Sequence, residues 1–462
     1  MDFVWDLAEH IIKTRFKNLS KHTVNVANRF ILDTIGAAIS GSSASGVKEI
    51  VEQMMEWGGK EQSKIICFRV KVPDVNAAFA NSVMIHARDF DDTHDAAVVH
   101  ANVTVLPTVM ALSEEIGGID GEDFVTAVVL GVDLSCRLGM AIGEAPGFSE
   151  RATRGWVRTT VCGIFGATAA ACKVLKMGKE QVVDALGIAL SQVAGTRQAV
   201  TDSALTKRMQ PAFMAKSAVF SALLAKRGIT GCKNVFEGTY GYFNLYWGGD
   251  YARQELLKGF GKRFEVDHLS FKPYPCCRYT HGAIDATLRI IKRNKISSDL
   301  VEEVKVHLVK HKFFDMVSRP FEIRGTPEVD AQFSIPYTVA SAILDGYVFL
   351  DSFEPQKVKE RTQNPLLKKV KVFMDEPIEN PKSLGPVKVE IKTKSGKVLS
   401  EIVKEFKGHP KNTMTEEECC EKFLNCSKYS LNPFSKADLE MIMERVLKLE
   451  RLKNTNDLME LL

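Results

Sequence analysis

The stretch His86-Ala-Arg-Asp-Phe-Asp-Asp-Thr-His-Asp-Ala-Ala-Val-Val-His100 places four aspartates, three histidines, an arginine and a threonine within fifteen residues. Apolar segments that predict helices lie on both sides of it, at Val75–Ala80 and at Val103–Leu112. Ionisable side chains are costly to bury unless they are paired or used in chemistry. A dense group of them between two apolar helices is therefore the first candidate for a functional site.

Three hypotheses compete for this stretch. It can be a solvated loop whose aspartates cap the next helix and pair with Arg88. It can be a DDxxD magnesium site built on Asp91-Asp92-Thr-His-Asp95, as in helical isoprenoid synthases, but such a site needs a second acidic motif, and Glu114-Glu115 and Glu416–Glu418 lack the spacing. It can also be a metal-free proton-transfer site, with His100 as acid or base and carboxylates that orient it. The magnesium hypothesis is therefore the minor one, so we expect no metal, and the solvated loop and the proton-transfer site both stay open.

Composition excludes several classes of function. The chain has 462 residues, is 45% hydrophobic and carries a formal charge of +4 without a long basic tract, so we expect no nucleic-acid partner. Its ten cysteines form no CxxC motif, which argues against a zinc ribbon or a disulfide scaffold. The first residues are acidic where a signal peptide is basic, and no uncharged apolar run approaches about 20 residues. We expect a cytoplasmic protein with reduced thiols and no membrane partner.

The periodicity of apolar residues predicts a mainly α protein. Helical patterns fill the first 265 residues or so and return near the C-terminus, and Gly- and Ala-rich segments at Val161–Leu175 and Gln181–Val193 predict closely packed central helices. Between them, Val301–Val309 and Val387–Thr393 alternate as strands do, and a Ser-Gly turn joins the second to another alternating segment, Val398–Val403. Ala331–Leu344 predicts a helix with Pro336 near its first turn. We therefore predict a large all-helical domain built from both chain ends, residues 1–267 and 408–462, and a smaller α+β domain at residues 268–407.

Two further segments carry candidate functional residues. Lys207 and Arg208 precede an apolar helix, where cations oppose the helix dipole and would suit an anionic ligand such as a polycarboxylate; the alternative is a solvated pair. The segment Lys272-Pro-Tyr-Pro-Cys-Cys-Arg-Tyr-Thr-His281 falls at the predicted domain boundary, where clefts form. Cys277 could act as a nucleophile or proton donor with His281 nearby, or it could be a small buried hydrophobe.

Several of these motifs, in this order and spacing, resemble the MmgE/PrpD family. The resemblance covers essentially the whole chain and rests on these segments: Asp89-Phe-Asp-Asp-Thr93 followed by His100, Gly155–Gly166, Thr206-Lys-Arg-Met-Gln-Pro211, Lys272–His281 and Gly408–Glu418. The family includes 2-methylcitrate dehydratase, cis-aconitate decarboxylase and iminodisuccinate epimerase. The resemblance implies a helical domain with an α+β lid domain, a homodimer, no cofactor, and proton transfer next to the carboxylates of small di- or tricarboxylic acids.

The resemblance also implies roles for individual residues. Asp89, Thr93 and His100 match the first active-site motif, and Lys207 and Lys272 match lysines that bind substrate. Three positions depart from the family pattern. Val157 stands in place of a histidine, Cys277 in place of a histidine of the decarboxylases, and Met316 in place of a tyrosine.

Together with these residues, the resemblance implies a cofactor-free lyase that resembles 2-methylcitrate dehydratase. Lys207 and Lys272, together with Arg208, would bind substrate carboxylates, and His100, oriented by Asp89, would transfer the proton. Thr93 would donate a hydrogen bond to substrate, and Cys277, His281 or water would carry the second proton. An epimerase or isomerase, a decarboxylase, a magnesium-dependent prenyl-transfer enzyme and a non-catalytic polycarboxylate-binding protein remain as alternatives.

Overall fold

The structure is a computed structural model that describes residues 2–142, 155–309, 314–375 and 384–462. Within these residues the protein is mainly α-helical, as predicted. The helices are α1 Val4–Lys13, α2 Lys21–Gly41, α3 Val47–Trp57, α4 Asp74–Ala87, α5 Asn102–Glu115, α6 Gly121–Ala141, α7 Arg158–Val174, α8 Lys179–Leu190, α9 Gln198–Thr201, α10 Thr206–Lys226, α11 Tyr242–Trp247, α12 Arg253–Leu257, α13 His281–Asn294, α14 Phe314–Ser318, α15 Pro327–Gln332, α16 Ile335–Asp345, α17 Pro355–Arg361, α18 Leu366–Lys369, α19 Glu416–Ser427, α20 Lys436–Leu447 and α21 Asn456–Met459. The strands are β1 Ser63–Ile65, β2 Val70–Val72, β3 Val301–Val309, β4 Val370–Asp375, β5 Val387–Thr393 and β6 Val398–Val403.

Helices α4, α5, α6, α7 and α10 pack against one another at the centre of the helical part. Their contact surfaces carry small residues, which let the backbones approach closely. A Cβ added at Gly166 of α7 would lie 2.3 Å from the carbonyl oxygen of Gly131 of α6, so glycine is required at this crossing. The prediction of closely packed, Gly- and Ala-rich central helices is confirmed for α7, whereas α8 packs against α10, α7 and α1 and is only partly buried.

Helix α6 is the one helix of the described residues that is long and apolar enough to cross a membrane by length and composition. Its apolar window is completely buried inside the protein, where it packs against α7, α5 and α12. A buried core helix passes the same test of length and composition, so this feature is weak evidence for a membrane span.

The larger sheet has the strand order β4-β3-β5-β6, with β3 and β4 parallel and the other pairs antiparallel. On β5 the side chains of Val387, Val389, Ile391 and Thr393 are buried, and α13 packs against β5 and β6. The alternation that predicted β3, β5 and β6 therefore reflects a sheet with one covered face. The helix predicted over Ala331–Leu344 is divided, because Ser334 caps a new helix and Pro336 occupies its first turn.

Most buried hydrophobic side chains belong to two clusters. The first draws on residues 3–271 and 414–462, and the second on residues 276–406. A small third cluster of Phe90, Leu350 and Cys426 contains residues from both sequence regions. The predicted domain boundaries near residues 267 and 407 stay a prediction.

Candidate active site

A cavity of about 150 Å³ lies where residues that follow α4 meet the segment before α13. Six of the eight predicted site residues line it: Asp89, Thr93, His100, Lys207, Lys272 and Cys277. These residues lie far apart in the sequence, and the fold brings them to one small cavity. The cavity is therefore the candidate active site.

The segment Asp89-Phe90-Asp91 carries the two carboxylates that the lysines and histidines of the site contact. Asp89 adopts a left-handed backbone conformation, with φ of 51°, directly after α4 ends. Lys422 of α19 donates a hydrogen bond of 2.9 Å to the carbonyl oxygen of Phe90, and its ammonium lies 3.8 Å from the centre of the Phe90 ring. Lys422 is itself paired with the buried carboxylate of Asp33 of α2 at 2.7 Å. Helices α2 and α19, which are distant from this segment in the sequence, thus hold it in place through Asp33 and Lys422.

Asp89 binds both lysines of the site. The Lys207 ammonium, at the start of α10, donates to Oδ1 of Asp89, and Nζ of Lys272 lies 3.2 Å from Oδ2 and 2.9 Å from the Asp89 carbonyl oxygen. Burial opposes ionisation of Asp89, but the two ammonium groups outweigh it and lower the pKa of the carboxyl far below its ordinary value. Burial likewise opposes the charge of Lys272, and Asp89 and Asp91 outweigh it and raise its pKa. Two lysine side chains thus contact one carboxylate.

Asp91 binds two histidines. Its carboxylate oxygens lie 3.1 and 3.0 Å from Nδ1 of His86, and Oδ2 lies 3.3 Å from Nδ1 of His100. The second contact is an ion-pair distance without the angle of a regular hydrogen bond. The two imidazole rings meet edge to face, with centroids 5.0 Å apart. Burial lowers the pKa of His86 to about 4, which keeps this imidazole neutral at neutral pH.

The prediction that Asp89 orients His100 is wrong, because Asp91 occupies that position. Burial opposes ionisation of Asp91, but His86 and His100 lower its pKa well below the ordinary value. Asp91 is therefore an ionised carboxylate that can stabilise a positive charge on His100. The lysines hold Asp89 on the other side of the segment.

The remaining aspartates of the stretch have structural partners. Asp92 accepts hydrogen bonds from the backbone N–H groups of Ala101 and Asn102, at 3.1 and 3.2 Å, at the start of α5. Burial, helped by Asp91, raises the pKa of Asp92 to about 6. Asp95 pairs with Arg278 at 3.3 Å. The carboxylates of Asp91, Asp92 and Asp95 thus serve separate partners, which argues against the DDxxD magnesium hypothesis.

One group of side chains in the described part of the chain could hold a metal ion. Donor atoms of His86, Asp91 and His100 all lie within 4.8 Å of one another. Two imidazoles and a carboxylate are suitable ligands for a transition metal. The same contacts are those of a proton-transfer group, so the prediction of a metal-free site stays a prediction.

Thr93 and Cys277 line the cavity through different supports. The backbone of Thr93 exchanges hydrogen bonds with Ser270, at 3.0 and 2.7 Å, which joins the first motif to the Lys272 segment. The backbone N–H of Cys277 donates to the carbonyl of Gln332 in α15. Burial, then Asp89, raises the pKa of the Cys277 thiol to about 12. Cys277 is a neutral thiol and not a thiolate nucleophile.

Arg208 and His281 do not line the cavity, contrary to prediction. Arg208 follows Lys207 by one residue on a helix, and successive helical side chains point in different directions. Its guanidinium donates to the carbonyl of Ser45 at 2.7 Å and lies 3.8 Å from Glu328. The His281 ring is completely buried, with Nε2 3.2 Å from the carbonyl oxygen of Cys276.

Several lining residues were not predicted. The cationic ones are Arg158, Arg197 and Arg278, and the apolar ones include Val98, Trp156, Val200 and Phe333. Val157 and Met316, named above as departures from the family pattern, line the cavity as well. Arg158 donates to the carbonyls of Ala97 and Gly139, each at 3.3 Å. His86 lay within the quoted stretch, and its spacing of five residues from Asp91, across a helix end, was the signal that could have found it. Arg197 and Val200 carry no signal in the sequence.

Family models and known proteins match nearly the whole chain. The model of the MmgE/PrpD N-terminal domain matches residues 5–255, and that of the MmgE/PrpD C-terminal domain matches residues 274–449. The chain is 25% identical to the cis-aconitate decarboxylase-like protein oryM of Aspergillus oryzae, over 99% of this chain and 96% of that protein. It is 28% identical to the cis-aconitate decarboxylase of Mus musculus, over 97% of this chain and 91% of that protein, and 28% identical to that of Homo sapiens, over 96% and 91%.

Proposed function

Since the chain belongs to the MmgE/PrpD family, we propose that it is a cofactor-independent lyase that acts on a small di- or tricarboxylic acid. The reaction would remove or add a proton at a carbon next to a carboxylate. One observation carries the proposal: His100, backed by the ionised Asp91, lines the same small cavity as the two lysines that share Asp89.

Lys207 and Lys272 would bind a substrate carboxylate through charge-assisted hydrogen bonds. Because Asp89 neutralises only one of the two ammonium groups, positive charge remains for an anion. The same charge would stabilise the aci-carboxylate that forms when a proton leaves the adjacent carbon. Asp89 fixes the two ammonium groups in place before substrate arrives, so little reorganisation accompanies the reaction.

His100 would carry the proton. Asp91 faces Nδ1 of His100, which leaves Nε2 as the ring nitrogen that exchanges the proton with substrate. The carboxylate would stabilise the imidazolium that forms, and neutral His86 would hold that carboxylate in place. Thr93 would donate a hydrogen bond to the bound acid.

A dehydration like that of 2-methylcitrate dehydratase is the first candidate reaction, with proton removal by His100. Decarboxylation is the second, because the relatives reported above are named cis-aconitate decarboxylases. An epimerase needs bases on two faces of one carbon, and the neutral thiol of Cys277 is a poor second base. We also propose a helical domain of residues 1–267 and 408–462, a lid domain of residues 268–407, and a homodimer.

A turnover screen by NMR in D₂O with a chelator tests the function. 2-Methylcitrate, citrate, cis-aconitate and iminodisuccinate are each offered to the wild-type protein and to His100→Gln. An alkene product identifies a dehydratase, CO₂ release a decarboxylase, and deuterium uptake alone an epimerase. Equal turnover by His100→Gln would contradict the role of His100. Binding without turnover or exchange, for every acid that binds, would favour a protein that only binds carboxylates.

A further inference from the structure

Four apolar side chains, Val98, Val157, Val200 and Met316, line the candidate active site together with the lysines. We call these four residues the apolar wall. In a site that binds only carboxylates, these apolar side chains would make no favourable contact with the ligand, because each carboxylate needs donors or cations around it. The wall therefore carries information about the part of the substrate that the lysines do not bind.

Backbone hydrogen bonds hold two members of the wall in place. The segment 155–157 pairs with the segment 195–197 through N–H donation from Val157 to the carbonyl of Gly195 at 3.2 Å, and from Arg197 to the carbonyl of Gly155 at 2.8 Å. The following helical turn brings Val200 to the cavity, with its N–H bonded to the carbonyl of Arg197. Val157 and Val200 thus come from two paired segments.

Val98 is held in a left-handed backbone conformation, with φ of 57°. This conformation is unfavourable for a β-branched residue, and glycine or asparagine would adopt it at lower cost. Strained residues of this kind concentrate at ligand-binding positions. Val98 lines the cavity.

Cys277 lines the same cavity as the wall. Its buried thiol is neutral, so it adds no charge that would attract a further carboxylate.

We propose that the substrate is a dicarboxylic acid that carries an alkyl substituent, and that this substituent packs against Val98, Val157, Val200 and Met316. The proposal rests on the proposed function, because Lys207 and Lys272 are taken to bind one carboxylate. A third carboxylate against the wall would lose its hydration without gaining a partner, whereas an alkyl group gains by leaving water. The arginines that line the cavity supply positive charge, so the charge of the site alone does not decide whether the substrate has two carboxylates or three. The apolar wall decides it, because it offers no partner to a third carboxylate.

Calorimetric binding of unreactive acids tests the substituent. The series is succinate, methylsuccinate, ethylsuccinate and propylsuccinate, with tricarballylate as the matched polar ligand. Tricarballylate is succinate with a carboxymethyl group, which is close in size to propyl. We expect affinity to rise about fourfold for each added methylene. We expect propylsuccinate to bind at least about tenfold more tightly than tricarballylate, in line with the discrimination that apolar pockets give. Equal or tighter binding of tricarballylate, or no dependence on chain length, would overturn the proposal.

Wall variants locate the effect. Val157→Thr keeps the size of the side chain and adds a hydroxyl, and we expect it to lower the propylsuccinate-to-succinate affinity ratio by roughly threefold or more, since about one methylene's worth of apolar contact is lost. Val200→Thr is the second variant in case the first does not fold. Val75→Thr is the control, because Val75 is also half-buried but packs against the main core outside the cavity. Unchanged ratios in both wall variants would overturn the assignment of the wall.

The same measurements separate this proposal from the proposed function. Binding of unreactive acids needs no turnover, and it is repeated on His100→Gln. A chain-length dependence without turnover of any acid leaves the wall in place and contradicts the lyase. Turnover of tricarboxylates without a chain-length dependence would support the lyase and contradict the assignment of the wall. Lys207→Met should weaken succinate and propylsuccinate by the same factor and leave their ratio unchanged.

Discussion

Asp89 and Asp91 are two residues apart, both are buried and both are ionised, yet they serve opposite kinds of partner. Asp89 binds the ammonium groups of Lys207 and Lys272. Asp91 binds the imidazoles of His86 and His100, and the pKa of His86 is lowered to about 4. One short segment thus separates the lysine side, a group of cations, from the histidine side, the proposed proton-transfer group. Burial alone does not distinguish the two carboxylates, and the residue types of their partners do.

The largest effect should come from the histidine side. We expect His100→Gln to lower kcat by about 10²–10⁴-fold on the true substrate, because a general acid or base contributes that much. Steady-state kinetics on an acid identified by the turnover screen measure it. His307→Gln is the control, since its side chain is 22% exposed, close to the 21% of His100, and it lies on β3 outside the cavity. A loss of less than tenfold would mean that another group transfers the proton.

Removal of the two carboxylate charges should affect folding unequally. Asp89→Asn leaves the completely buried Lys272 without a charged partner, and we expect it to lower the free energy of unfolding by about 3–5 kcal/mol. Asp91→Asn should cost about 1–3 kcal/mol, because the change removes contacts to imidazoles and leaves no buried lysine without a carboxylate. Urea denaturation at pH 7 measures both. Equal losses, or a larger loss in Asp91→Asn, would contradict the division into a lysine side and a histidine side.

Acid should weaken only the histidine side between pH 6.5 and 4. The pKa of His86 is lowered to about 4, so in this range the unfolded chain binds a proton that the folded protein does not. Stability from the neutral imidazole is complete above pH 6.5 and is lost as the pH falls towards 4. We expect the stability difference between wild type and His86→Gln to shrink by on the order of 2–3 kcal/mol over this range. Asp89 stays ionised throughout, so a similar pH dependence of the Asp89→Asn difference would contradict the comparison.

The smallest effect should come from a single lysine. Lys207→Met should raise KM by roughly 10–100-fold, since a hydrogen bond to a charged group contributes about 1.5–3 kcal/mol. A parallel drop in kcat would show that the ammonium also acts in the transition state. Lys216→Met on the same helix is the control, because the Lys216 ammonium lies over the ring of Trp57 instead. No change of KM in Lys207→Met would place substrate binding elsewhere.

The sequence predicted the parts of the fold that depend on local pattern. Apolar periodicity located the central helices, and alternation located β3, β5 and β6. It did not predict that β4 pairs with β3 in parallel, because such a pairing joins segments 60 residues and more apart. Ser334 explains the divided helix, since a capping side chain followed by Pro336 starts a new helix more readily than it continues one.

The site was predicted in composition but not in connectivity. Residue types and the family resemblance indicated Lys207, Lys272 and His100, which the fold brings together. The sequence does not show that Asp91 rather than Asp89 faces His100, because the direction of each carboxylate depends on the left-handed turn at Asp89, which no local pattern indicates. Arg208 is next to Lys207 in the sequence, but its side chain points away from the cavity towards Ser45. Val200 and Arg197 reach the cavity through the pairing of two distant segments, which is a tertiary property.

Lys422 determines when the candidate active site can be completed during synthesis of the chain. The ammonium that holds the Phe90 carbonyl and neutralises Asp33 is residue 422 of 462, so both of its partners are made long before it. During synthesis on the ribosome, a nascent chain that lacks α19 has an apolar α2 with an uncompensated carboxylate and a segment at Asp89–Asp91 without its rear support. The nascent protein therefore completes its candidate active site only after Lys422 has been made, 332 residues after Phe90.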